Sequence, residues 1–132
     1  MTVEALTGDE CRQLLRTHDI GRFAVIVGGY PEVFPVNYTL VRDHIIIRTD
    51  PGLKLAHAHF ERVCFEVDEL DPGQRTGWSV LVRGIVHEVL DDDRHAEEIR
   101  AAATHITPWA GGAKQYLLFI TPVRVTGRRI TR

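Results

Sequence analysis

The residues best equipped for chemistry lie between positions 47 and 54, in the run Ile47-Arg48-Thr49-Asp50-Pro51-Gly52-Leu53-Lys54. A strand ending at Thr49 presents a hydroxyl that can donate a hydrogen bond. A helix opening near Gly52 presents unpaired backbone N–H groups along its axis. Arg48 and Lys54 add cations, and guanidinium and ammonium groups bind phosphate well. This strand-to-helix turn reads as an anion site; the same residues also suit a capped helix carrying a solvated lysine. It is not a P-loop, because Gly-x-x-x-x-Gly-Lys-Ser/Thr is absent.

Other reactive side chains are more dispersed. The seven histidines include His57 and His59. Residues two apart do not share a helix face, where neighbours sit at i+3 or i+4. His44, His87, His95 and His105 are scattered, so no dedicated metal site is expected. Cys11 and Cys64 are the only cysteines, and no Cys-x-x-Cys occurs. A disulfide between them is one option; two reduced thiols in a cytoplasmic chain are the expectation. Ser79 lacks a Gly-x-Ser-x-Gly elbow, so it is not read as a nucleophile. Trp109, in Pro108-Trp109-Ala110-Gly111-Gly112, suits a cap over a ligand and a cover over a barrel end equally well.

The elements that must hold these residues are mostly strands. Thr7 with Glu10 has capping-box spacing, and the following helix sets Cys11, Leu14, Leu15 and His18 along one face. Strands are expected over Arg22 to Val27, Glu32 to Leu40 and His44 to Thr49, joined by turns at Gly28-Gly29 and Arg42-Asp43. Pro35 marks an edge or a bulge. A short helix is expected over residues 53–59, capped by Asp50, then strands over Val63 to Val67 and Trp78 to Val89. Asp91-Asp92-Asp93 opens a second main helix reaching about Ala103. The last strands run from Tyr116 to Ile120 and from Val123 to Thr126, separated at Pro122. Consecutive strands lie too close for βαβ crossovers. The fold class is therefore mainly β, an antiparallel sheet of six or seven strands closed into a small barrel with short flanking helices.

With 132 residues the chain fits one domain, spanning 1–132. It is too short for a (β/α)₈ barrel of about 250 residues. Lys and Arg total 16 against 18 Asp and Glu, a net charge of −2. That balance argues against a general nucleic-acid binder, and the Arg128-Arg129 pair is too small for such a patch. No run of about 18 apolar residues predicts a membrane span, and no signal peptide is seen at the N-terminus.

The order of these segments is informative as a whole. The meander, the Arg48-to-Lys54 turn, Val63-Cys64-Phe65-Glu66-Val67 and then Trp78-Ser79-Val80-Leu81-Val82-Arg83-Gly84 resemble the pyridoxamine 5′-phosphate oxidase-like family of flavin-binding split barrels. The nitroimidazole-reductase-like branch of small proteins is the most similar. The resemblance covers residues 10 to 130 and implies an FMN-binding homodimer with cofactor sites at the subunit interface. It implies that Pro35, Val36, Asn37 and Tyr38 lie along the isoalloxazine and ribityl chain. Arg48 and Thr49 would reach the phosphate or ribityl oxygens, and Lys54 the phosphate. Trp78 and Ser79 would contact the flavin from the other subunit, and Trp109 is a further candidate. Lys54 is followed by Leu55 rather than a second basic residue. The segment from Gly127 onward lacks the arginine-rich extension of the larger vitamin B6 oxidases, and Arg48 stands where nitroimidazole-reductase-like members often carry His. The implied function is thus a small FMN-dependent oxidoreductase acting on a small-molecule substrate. A deazaflavin-dependent reductase of the same fold and a non-catalytic flavin or haem carrier are the alternatives.

Overall fold

The computed structural model describes residues 1–49, 61–106 and 116–132. Within them the chain runs β1 (Thr2–Ala5), α1 (Gly8–Leu15), β2 (Ile20–Val27), β3 (Tyr30–Val41), β4 (His44–Thr49), β5 (Glu61–Asp71), β6 (Thr76–Glu88), α2 (Ala96–Ala103) and β7 (Tyr116–Thr131). All pairings are antiparallel, in the order β1-β7-β4-β3-β2-β5-β6. An added β6–β7 pairing, from Gly77–Ile130 to Glu88–Leu118, closes six strands into a ring with β1 alongside β7. This is a split barrel. Closure leaves β1 as the flank and removes most free edges.

Strand alternation builds the core. Phe23 and Val25 of β2, Ile45 and Ile47 of β4, Val63, Phe65 and Val67 of β5, Val80 and Val82 of β6, and Leu118 and Ile120 of β7 all point into the ring. Gly21 makes room for Phe65, since a Cβ there would stand 2.2 Å from the ring. Helix α1 adds Cys11 and Leu15 to this core. Its start is the expected capping box. The Glu10 N–H donates to Thr7 Oγ1 at 3.2 Å, and the Thr7 N–H donates to Glu10 Oε1 at 2.9 Å. Helix α2 packs Ala96, Ile99 and Ala103 over the outer side of the ring, against Val41 and Ile46.

Several boundaries differ from the sequence expectation. Helix α1 ends at Leu15, which leaves His18 in the following loop. Helix α2 starts at Ala96 rather than at the aspartates. Asp93 instead accepts a hydrogen bond from the Leu90 N–H at 2.6 Å, a local turn that competes with helix. The two final strands are one, β7, and β1 was not anticipated. Pro122 does not break β7, because the register shifts between Arg83 and Gly84 and passes over Val123 as an extra residue. A bulge of this kind accommodates a residue without an N–H. Pro35 sits in a stretch of β3 that pairs with β2; the β4 pairing covers Tyr38 to Val41. The Gly28-Gly29 and Arg42-Asp43 turns form as expected, with positive φ at all four residues, the geometry that matches strand twist in tight hairpins.

Candidate functional site

Alternation along β3 and β4 sorts the expected site residues onto two faces. Val36, Tyr38 and Thr49 share the inner face with Ile47, whereas Pro35, Asn37 and Arg48 share the outer face with Ile46. Arg48 and Thr49 therefore leave the end of β4 in opposite directions. Tyr38 is 2 % exposed, and its hydroxyl donates to the Leu15 carbonyl at 2.5 Å. Burial raises its pKa further above the ordinary phenol range. Its backbone N–H donates to the Asp19 carbonyl at 3.0 Å. Tyr38 thus ties α1 to the barrel and offers its side chain to the core.

Thr49 differs. It is 2 % exposed, and its Oγ1 is buried with no hydrogen-bond partner among the described residues. A buried hydroxyl normally finds a partner, because leaving one unmet costs about 1–3 kcal/mol. At the end of β4 this hydroxyl faces the barrel interior, on the side away from Arg48.

The second half of the expected site lies across the sheet. Trp78 turns into the barrel and meets His18 edge-on, with ring centroids 5.1 Å apart. Ser79 takes the outer face and stands opposite Asp68 of β5 and Arg128 of β7. Between β3 and β6 lie β2 and β5, so Ser79 is about 14 Å from the Pro35–Asn37 edge at ordinary strand spacing. Lys54 and Trp109, with the expected helix over 53–59 and its His57 and His59, lie outside the described residues.

The strip between these two ends holds a cluster that the sequence reading did not single out. Pro35 stands opposite Arg22, Arg22 opposite Glu66, and Glu66 opposite Leu81. Arg22 NH1 lies 3.3 Å from Glu66 Oε1 and 3.5 Å from Asp68 Oδ2. Two carboxylates thus share one guanidinium. Burial, then the hydrogen bond and charge of Asp68, raise the Glu66 pKa to about 7; Arg22 opposes the rise. Glu66-Val67-Asp68 carried a signal, since period-2 alternation puts both carboxylates on one face. Only the pairing register shows that Arg22 faces them.

Next to the cluster, an open groove of about 420 Å³ is lined by Ala24, Ile26, Pro31, Cys64, Arg83 and Ile85, among others. Ile26, Val33 and Leu81 around this face are 51 %, 63 % and 37 % exposed, so the face is apolar beside its charged centre. Both cysteines are free thiols. Cys11 is buried, and desolvation raises its pKa, so it is a core residue rather than a nucleophile. Among the described residues no group of three His, Cys, Asp or Glu side chains could hold a metal ion. No helix among them is long and apolar enough to cross a membrane.

Ring closure and a flanking strand define the class as a split barrel, and the outer face with its charged cluster and apolar groove is the candidate ligand face. The family model described as pyridoxamine 5′-phosphate oxidase matches residues 7–129. The chain belongs to that family. It is 36 % identical over 134 residues to an uncharacterized protein of Mycobacterium tuberculosis, covering 97 % of this chain and 86 % of the relative. Among solved structures it is similar to the FAD binding protein from Mycobacterium smegmatis, at 30 % identity and a TM-score of 0.77, over 96 % of this chain and 99 % of that one. It is also similar to a FAD-binding protein from Mesorhizobium loti, at 29 % identity and a TM-score of 0.80, over 99 % and 100 % of the two chains.

Proposed function

We propose that this protein binds a flavin on the outer face of its barrel and acts as a small flavin-dependent oxidoreductase. The observation that carries the reading is that two solved structures of about 30 % identity, similar along nearly the whole chain, are FAD-binding proteins by name.

In this reading Pro35 and Asn37 lie along the flavin through the outer face of β3, and Val36 and Tyr38 take part through the backbone alone. Arg48, on the outer face, and Lys54 meet the phosphate, and Thr49 takes part through its backbone alone. When bound, the flavin supplies the hydride or electron chemistry, while the protein supplies binding and orientation. The apolar face around Ile26, Val33 and Leu81 suits cover by a second copy, since exposed apolar patches mark contact surfaces. A homodimer would then bring the partner's outer face, with Ser79 and the backbone of its neighbour Trp78, onto each cofactor. Trp109 is a further candidate for contact with the cofactor. A small-molecule substrate and a cytoplasmic setting complete the proposal.

FMN, the sequence expectation, and FAD, the cofactor in the relatives' names, share the isoalloxazine, ribityl chain and first phosphate. Thermal shifts with FMN, FAD and riboflavin test the site, because a ligand that binds only the folded state raises Tm. FMN or FAD should raise Tm well above riboflavin, and Lys54→Ala should erase that margin. Equal shifts for all three would remove the phosphate site, and no shift with any would remove the flavin.

A further inference from the structure

We propose that filling the outer face of the barrel is linked to uptake of a proton by the Glu66–Asp68 pair, so that flavin affinity falls as pH rises. This rests on the flavin reading and concerns the regulation of the same face. The geometry carries it. Glu66 and Asp68 point the same way from β5, and a single guanidinium, that of Arg22, lies within 3.5 Å of either. The cluster therefore holds one negative charge in excess when both are ionised. Their side chains are 30 % and 20 % exposed, so water still screens that excess.

A flat ligand or a second protomer laid over the strip would remove the water. Charge repulsion strengthens as the local dielectric falls, and a phosphate-bearing ligand adds negative charge nearby. Proton uptake relieves both costs. The surrounding groups do not cancel the excess. On β5 the outer face carries Arg62 and Cys64, and on β6 it carries Ser79, Leu81 and Arg83. Arg83 stands opposite Cys64, one pair further along than Glu66, and Arg128 of β7 stands opposite Ser79. On β3 the facing residue is Pro35. Of these described neighbours, Arg22 alone forms an ion pair with the two carboxylates. The raised proton affinity of Glu66 already shows the strain in the uncovered chain.

The test is calorimetric titration of FMN and of FAD into flavin-free protein in two buffers of different ionisation enthalpy, at about pH 8, where the uncovered pair is mostly ionised. The difference in heat counts protons. For at least one of the flavins, wild type should take up roughly 0.5–1 proton on binding, Glu66→Gln close to none, and Asp68→Asn less than wild type, because repulsion is then gone. Should Glu66→Gln fail to fold, Asp68→Asn decides alone. Binding with equal heats in both buffers, or uptake unchanged by the substitutions, overturns the proton linkage and leaves the flavin reading intact. Failure of both flavins to bind overturns the flavin reading, and the linkage with it.

Discussion

Arg22 lies 3.3 Å from Glu66 across the β2–β5 pair, and the same nitrogen is 3.5 Å from Asp68. With Glu66 raised to about 7, the folded chain holds a proton that the unfolded chain releases near 4.5. The folded state binds more protons between those values, so stability is full below the lower one and is lost as pH rises through the upper one. Chemical denaturation at a series of pH values should show this decline for wild type. Glu66→Gln should flatten it and be more stable than wild type above neutrality. The gain should be on the order of 1 kcal/mol, since the pair remains partly solvated. A wild-type profile without slope in this window would mean that Glu66 titrates normally.

Thr49→Val should separate stability from binding. Valine has nearly the same shape and removes a buried hydroxyl without a partner, so the ligand-free protein should gain about 1 kcal/mol. Flavin affinity should stay within about twofold, less than about 0.5 kcal/mol, because the side chain faces the barrel interior and the flavin the outer face. Denaturation and flavin titration on the same samples read both quantities. A loss of stability would show that the hydroxyl is satisfied within the chain.

Gly21→Ala should be among the costlier methyl additions in the barrel. The new Cβ would stand 2.2 Å from the Phe65 ring, which is fully buried. Overpacking of this sort costs about 1–3 kcal/mol. Phe65→Leu placed in the same chain should recover part of the loss, since the pair shares one space. Strictly additive Tm losses would indicate that the two positions do not compete.

The barrel was largely legible in the sequence because alternation and turn residues act locally. Gly28-Gly29 and Arg42-Asp43 fixed the meander, and Thr7 with Glu10 fixed the first helix. Features set by distant contacts were not legible. Thr2–Ala5 becomes a strand only because Arg128 to Thr131 lies beside it. Pro122 looked like a strand break, yet the bulge opposite Gly84 carries β7 through it. At the site, the run Arg48-Thr49 drew attention by residue type. Alternation then sent the two side chains to opposite faces, which a reading of adjacent residues as one unit conceals. Arg22 and Glu66 are 44 residues apart and meet through strand register, so no motif announces them.

The absorption spectrum of the purified protein, followed by mass analysis of what it releases on denaturation, tests the flavin assignment most directly. The expected result is an oxidised-flavin band near ~450 nm, with FMN or FAD released. A colourless protein whose Tm neither FMN nor FAD raises, or a sharp haem band near ~400 nm without flavin, would contradict it.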